Sequence, residues 1–150
     1  MHIETQFSVF MVNKPGILGN LLESIADEKI NILALTMMDS VEHGVLRVVV
    51  KSGDKLIKVL EKINVQYSTT DVLCINLPNK AGAFADVATK LAKAHINISY
   101  AYCTAGARGG RTTSVLKVAD VKKAIKILDA GSPKKKTNTK ATVKRSLNRK

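Results

Sequence analysis

The residues of this 150-residue chain best placed to do chemistry form a short turn, Asn13-Lys14-Pro15-Gly16-Ile17-Leu18. It lies between a run of strand-forming character, Ile3–Val12, and a stretch whose apolar residues recur at helical spacing. Pro15 suits the first turn of a helix, and Gly16, lacking a Cβ, lets another molecule approach the backbone closely. A helix N-terminus presents backbone N–H groups and favours negative charge, so a carboxylate is a natural guest. Asn13 offers a donor and an acceptor, which suits a zwitterion. The turn recurs as Asn79-Lys80-Ala81-Gly82-Ala83-Phe84, and a further pair, Asn31 and Asn97, opens the strand candidates that follow the two helices. Residue type alone also allows a local role, with Asn13 and Asn79 as helix caps and Asn31 and Asn97 closing the turn after each helix. Recurrence of both features in both copies favours a ligand.

Catalysis has no comparable equipment. His2, His43 and His95 are isolated, and His95 falls at the end of an expected helix, where capping or a dipole role suits it. Asp27-Glu28 and Glu42 lack partners at useful spacing, and no nucleophile elbow, P-loop or dinucleotide fingerprint is present. Gly106-Ala-Arg-Gly-Gly-Arg111 reads as a loop, with phosphate binding by Arg108 and Arg111 as its alternative. Cys74 and Cys103 lie far apart in apolar strand-like stretches and are expected as buried thiols, not as a disulfide or metal pair. The expectation is a protein that is not an enzyme and holds no metal and no cofactor.

Net charge is +12, but the basicity is local. Lys134–Lys150 holds eight of the 24 basic residues and no acid, leaving 16 bases against 12 acids, or +4, in the rest. Such a tail can bind nucleic-acid phosphates, the alternative being a solvated tail without a specific partner. Nucleic acid is not favoured, because only three Phe, three Tyr and no Trp are present; Tyr100 and Tyr102, two apart on one strand, are the one hint of a stacking platform. No run approaches the roughly 18 apolar residues of a membrane span, and Met-His-Ile-Glu has no signal-peptide layout. A cytoplasmic protein without a membrane partner is expected.

The elements that must position the turns come from an internal repeat. Sliding Asn13–Leu35 by 66 residues onto Asn79–Ala101 matches Asn13/Asn79, Lys14/Lys80, Gly16/Gly82, Ala26/Ala92, Ile30/Ile96, Asn31/Asn97 and Ile32/Ile98. Each copy has a first strand (Ile3–Val12; Val72–Leu77), a helix, and two more strands (Ile30–Met38 and Val45–Lys51; Ile96–Cys103 and Thr113–Val118), the second hairpin being longer. Asp54 and Asp120 stand where caps of a second helix belong. Asn64–Thr69 reads as the first copy's fourth strand. The second copy's is weak or missing, with Ala141–Leu147 as a poor candidate in an otherwise disordered tail. Each unit is βαββαβ, so the fold class is α+β, two ferredoxin-like repeats of antiparallel sheet with helices on one face. Domains are expected at 1–69 and 70–130, with a basic tail at 131–150. Strands such as Phe7–Val12 and Leu46–Val50 are apolar at consecutive positions, so the second face should be covered by the other repeat or by another copy of the chain, and a homodimer is expected.

The Asn-Lys-Pro-Gly-Ile-Leu turn followed by leucine-rich helix, together with Ile30-Asn31-Ile32 after that helix, resembles the ACT domains, small regulatory modules that bind amino acids. The resemblance spans about Ile3 to Leu128 and implies two tandem ACT domains without a catalytic domain. It implies a free amino acid ligand where two domains meet, held by Asn13, Lys14, Pro15, Gly16, Ile17, Leu18 and Asn31, and in the second copy by Asn79, Gly82, Ala83, Phe84 and Asn97. An enzyme or regulator is the partner that such a module would control. Ala81 in place of proline and the longer hairpin make the second site unequal to the first.

Overall fold

The computed structural model describes residues 1–39, 43–104 and 110–130; the expected tail at 131–150, the Ala141–Leu147 candidate, Glu42 and Arg108 lie outside them. The elements run β1 (His2–Val12), α1 (Ile17–Asp27), β2 (Ile32–Asp39), β3 (His43–Val50), α2 (Gly53–Lys62), β4 (Tyr67–Pro78), α3 (Ala83–Lys93), β5 (Ile98–Cys103), β6 (Arg111–Val118) and α4 (Val121–Ala130). Alternation decides which face each strand buries. Phe7, Val9 and Met11 of β1 and Leu46, Val48 and Val50 of β3 pack under Leu21 and Ile25 of α1 and Leu56, Val59 and Leu60 of α2. Leu73 and Ile75 of β4 and Leu116 and Val118 of β6 do the same under Val87 and Leu91 of α3 and Ala124 and Leu128 of α4. All four helices therefore lie on one face.

The two repeats share one six-stranded antiparallel sheet, ordered β2-β3-β1-β4-β6-β5. The separately expected strands Asn64–Thr69 and Val72–Leu77 are a single strand, β4, within which the expected junction between 69 and 70 falls. β4 pairs with β1 from His2↔Cys74 to Val9↔Tyr67, centred on Thr5↔Asp71. Those two residues are 66 apart, the repeat offset, so a local two-fold passes between them. The first half of β1 consequently fills the place of the second repeat's fourth strand, which is why the sequence after α4 offers only a weak one. Beyond the longer hairpin the offset becomes 68: Ser52 and Asp120 are the equivalent residues at the starts of α2 and α4. Asp120 accepts a bond from the Lys123 N–H at 2.8 Å, as a cap should, whereas Ser52, not Asp54, is the N-cap of α2.

The helix-free face is closed by the repeats against each other. Ala34, Val49, Val72, Cys74 and Val115 form a buried cluster there, with Leu33 and Tyr102 packed on it. Gln6 of β1, fully buried, donates through Nε2 to the Tyr100 hydroxyl at 2.7 Å and accepts at Oε1 from the Tyr102 hydroxyl at 3.1 Å. β5 lies three strand steps from β1, roughly 14 Å in a flat sheet, so the sheet curls around this face. The Arg47 guanidinium of β3 stacks 3.8 Å from the Tyr100 ring centre, joining the same contact from one strand further away. Burial first, then the neighbouring Tyr100 phenol and Cys74, push the Tyr102 hydroxyl well above its ordinary range, with Arg47 opposing. It stays a neutral donor. Gln6→Leu keeps the side-chain volume but strands both tyrosine hydroxyls, and should lower stability by about 1–3 kcal/mol in urea unfolding; an unchanged midpoint would show the contact to be idle.

Both cysteines are free, as expected, but only Cys74 is buried; Cys103 is exposed, its Sγ 3.2 Å from the Ser114 Oγ near the end of an edge strand. Burial, with Glu4 adding to it, pushes the Cys74 thiol up to about 11, so at pH 8 its thiolate is about one part in a thousand. One thiol per folded chain, Cys103, should therefore react with a disulfide reagent at pH 8, and the second only in denaturant.

Candidate functional site

Both strand-to-helix turns are built alike. In the first, the Lys14 N–H donates to the Val12 carbonyl at 3.0 Å, the Ile17 N–H to Lys14 at 3.4 Å and the Asn20 N–H to Gly16 at 2.9 Å. In the second, Lys80 donates to Pro78 at 2.9 Å, Ala83 to Lys80 at 3.3 Å and Asp86 to Gly82 at 3.0 Å. The helix N-caps are Gly16 (φ 87°, ψ −22°) and Gly82 (φ 84°, ψ −16°), left-handed conformations that a Cβ would strain. An added Cβ at either would meet nothing within 4 Å, so conformation and not crowding demands glycine, and the space beside the backbone stays open. Ala81 in place of Pro15 leaves this geometry unchanged.

The N-cap residues are glycines, which have no side chain to cap with, and Asn13 and Asn79 stand three residues before them and so are not at the N-cap position. Asn13, Lys14, Pro15, Gly16 and Ile17 are exposed and Leu18 is half-buried; Asn79 and Gly82 are exposed, Ala83 buried and Phe84 half-buried. Asn31 and Asn97 are exposed at the starts of β2 and β5.

Strand register shows which of these residues meet. Ile32 of β2 pairs with Val50, and Val12 of β1 with His43, so Asn31 and Asn13 of one repeat stand about eight residues apart along the strands, roughly 25 Å. Asn97 and Asn79 are separated in the same way. The two turns leave β1 and β4 in opposite directions, seven residues either side of the local two-fold and roughly 45 Å apart. Within one chain each turn is alone.

The remaining titratable candidates are dispersed. His95 is the left-handed residue after α3 (φ 55°), matched by Lys29 after α1 (φ 53°), and His2 lies 3.3 Å from Glu4 on the surface. Among the described residues no three His, Cys, Asp or Glu side chains come together in a way that could hold a metal ion. Tyr100 and Tyr102 share a face, yet both are half-buried and engaged by Arg47 and Gln6, so they form no open stacking surface. Unforeseen from the sequence are two equivalent grooves beside the first helix of each repeat, of about 490 Å³ and 440 Å³. Helical spacing held the signal: Ile17, Asn20, Leu21 and Ser24 line one, and Ala83, Asp86, Val87 and Lys90 the other.

One curled sheet made of two ferredoxin-like repeats, each opening its first helix at a left-handed glycine, defines a fused pair of βαββαβ modules. The chain belongs to the ACT domain pair family, whose model matches residues 1–130. It is similar to a crystal structure of a protein from Bacteroides thetaiotaomicron at 32% identity and TM-score 0.79, over 85% of this chain and 88% of that one. The ligand-free regulatory subunit of aspartate kinase from Thermus thermophilus shares the fold, at 11% identity and TM-score 0.65 over 87% and 97% of the two chains. The corresponding subunit from Thermus flavus does so at 12% identity and TM-score 0.60, over 86% and 91%. The sequence matches none of the curated proteins with which it was compared. No helix among the described residues is long and apolar enough to cross a membrane.

Gly16→Ala and Gly82→Ala should each cost about 1–2 kcal/mol by forcing a Cβ into positive φ, while Gly19→Ala, inside α1 with open space around it, should add about 0.5–1 kcal/mol. Denaturant unfolding of the three variants checks the contrast.

Proposed function

We propose that this ACT domain pair is an amino-acid-binding regulatory protein, not an enzyme, and that its ligand sits at the strand-to-helix turn. The carrying observation is the pair of α1 and α3 N-termini opened by the left-handed Gly16 and Gly82, with open space beside the glycine backbone and exposed Asn13 and Asn79 three residues before. Backbone N–H groups there favour a carboxylate, and the asparagine amide can serve the ammonium or the carboxylate of the same molecule. Binding that differs between two packings of the chain would pass its effect to an enzyme or regulator partner.

A single chain supplies only one side of such a site, and a homodimer would complete it. β2 is an edge strand that pairs with β3 alone, and it exposes Leu35, Met37 and Met38 by 44%, 38% and 49%. An unpaired, apolar edge of this kind invites another strand. In a fully overlapped antiparallel pairing of two β2 strands, Ile32 of one copy lies opposite Asp39 of the other. Asp39 is level with Met11, just short of the turn. Asn31 of the second copy then approaches Asn13–Gly16 of the first, joining residues that one chain keeps apart. A cytoplasmic location suits the two free thiols.

A thermal-shift panel of the free amino acids at millimolar concentration tests the proposal. A ligand at 100 times its dissociation constant adds about 2.7 kcal/mol, a rise of about 5–10 °C for a chain of this size. A flat panel would sink the proposal. Asn13→Ala should abolish more of the shift than Asn79→Ala, and Leu35→Lys with Met37→Lys should give a monomer in light scattering with at least tenfold weaker binding.

A further inference from the structure

The groove of the second repeat differs from its sibling in a way that the fold does not require. Both have an apolar floor, Met11 and Leu21 in the first and Leu77 and Val87 in the second. Their walls diverge at equivalent places: Phe10, Asn20, Ser24 and His43 in the first become Asn76, Asp86, Lys90 and Arg111 in the second. His43 and Arg111 correspond because they pair with the equivalent residues Val12 and Pro78. Lys80 and Asp129 complete the second lining, so among the described residues three cations and two anions surround about 440 Å³, while the described residues that line the first groove include no Asp, Glu, Lys or Arg.

These charges do not neutralise one another. Asp86 and Lys90 stand at i and i+4 on α3, the favourable order for an ion pair, yet among the described residues none of the five charged groups is ion-paired. Arg111 uses one guanidinium N–H on the Asn76 carbonyl at 2.5 Å, which steadies it at the groove and leaves its other donors available. The groove borders the turn at Lys80 and Ala83 and runs from there along the Asp86–Lys90 side of α3 toward Arg111 and Asp129, so most of its charged groups lie outside the turn.

We propose that this groove binds a small bipolar molecule, a primary ammonium and a carboxylate or phosphate on one short skeleton. Arg111, Lys90 and Lys80 take the anion, Asp86 and Asp129 take the ammonium, and the skeleton lies on Leu77 and Val87. Because the walls offer both signs, a molecule with only one charge meets repulsion from half of the lining.

Titration of the ¹⁵N-labelled full chain with γ-aminobutyrate and with O-phosphoethanolamine tests this, and the tighter binder identifies the anion as carboxylate or phosphate. The amides of Asp86, Lys90 and Arg111 should move with either or both, and butyrate and butylamine should bind at least tenfold more weakly. Lys90→Ser and Arg111→His install the sibling groove's residues at exposed positions and should each weaken binding about tenfold. Asn79→Ala should leave it intact, which separates the groove from the turn. The proposal is overturned if neither bipolar probe moves those amides at millimolar concentration. It is equally overturned if the singly charged probes bind as well, if both groove variants bind like the parent, or if Asn79→Ala alone abolishes binding.

Discussion

The pairing of β1 with β4 is the constraint from which the rest of the structure follows. Each is the first strand of its own repeat, and each also supplies the outer strand of the other, around a two-fold that passes between Thr5 and Asp71. A ferredoxin-like unit needs four strands to cover two helices, and among the described residues the second repeat has three of its own. The missing one is supplied by His2–Thr5. This fusion places all four helices on the same face and sends the two strand-to-helix turns to opposite ends of the sheet.

Curling of the shared sheet settles what happens on the other face. Strands apolar on both sides need two covers, and here helices form one while the opposing halves of the sheet form the other, with Gln6 as the only buried residue of β1 that is polar. Its amide is satisfied across the curl by two tyrosines, so the contact fixes how far the halves approach. The cover reaches β2 at Ala34 but not the remainder of that strand, where Leu35, Met37 and Met38 are exposed. Those side chains, with Phe10 and Val12, hold much of the exposed large apolar surface, and the proposed dimer draws on that remainder.

Much of this was legible in the sequence, because the repeat carried both periodicity and landmarks. Asn13, Gly16, Ile30 and Asn31 recur with their spacing intact, and the helices and strands fell close to where apolar periods put them. The continuous β4 is not legible, since the repeat makes Asn64–Thr69 the last strand of one unit and Val72–Leu77 the first of the next, and only pairing partners reveal one strand. The sharing of β1 is a long-range choice that no local pattern encodes. Cys103 misled because a strand at a sheet edge exposes residues that look internal. At the site, the turn residues and the glycines were evident. Their distance from Asn31 and Asn97 was not, because register sets it, and the grooves depend on how α1 and α3 face their neighbours.

The exchange of outer strands also sets an order of events during synthesis. His2 and Cys74 are 72 residues apart, so the first strand made cannot be paired along its length until β4 has left the ribosome. Until then β1 presents an open edge next to an apolar face, and α1, β2, β3 and α2 can gather on it only as a provisional core. The second repeat, once made, finds its last strand already waiting. The first half has its own core, whereas the second completes its sheet only on β1, so the second half should acquire its structure by docking on the first.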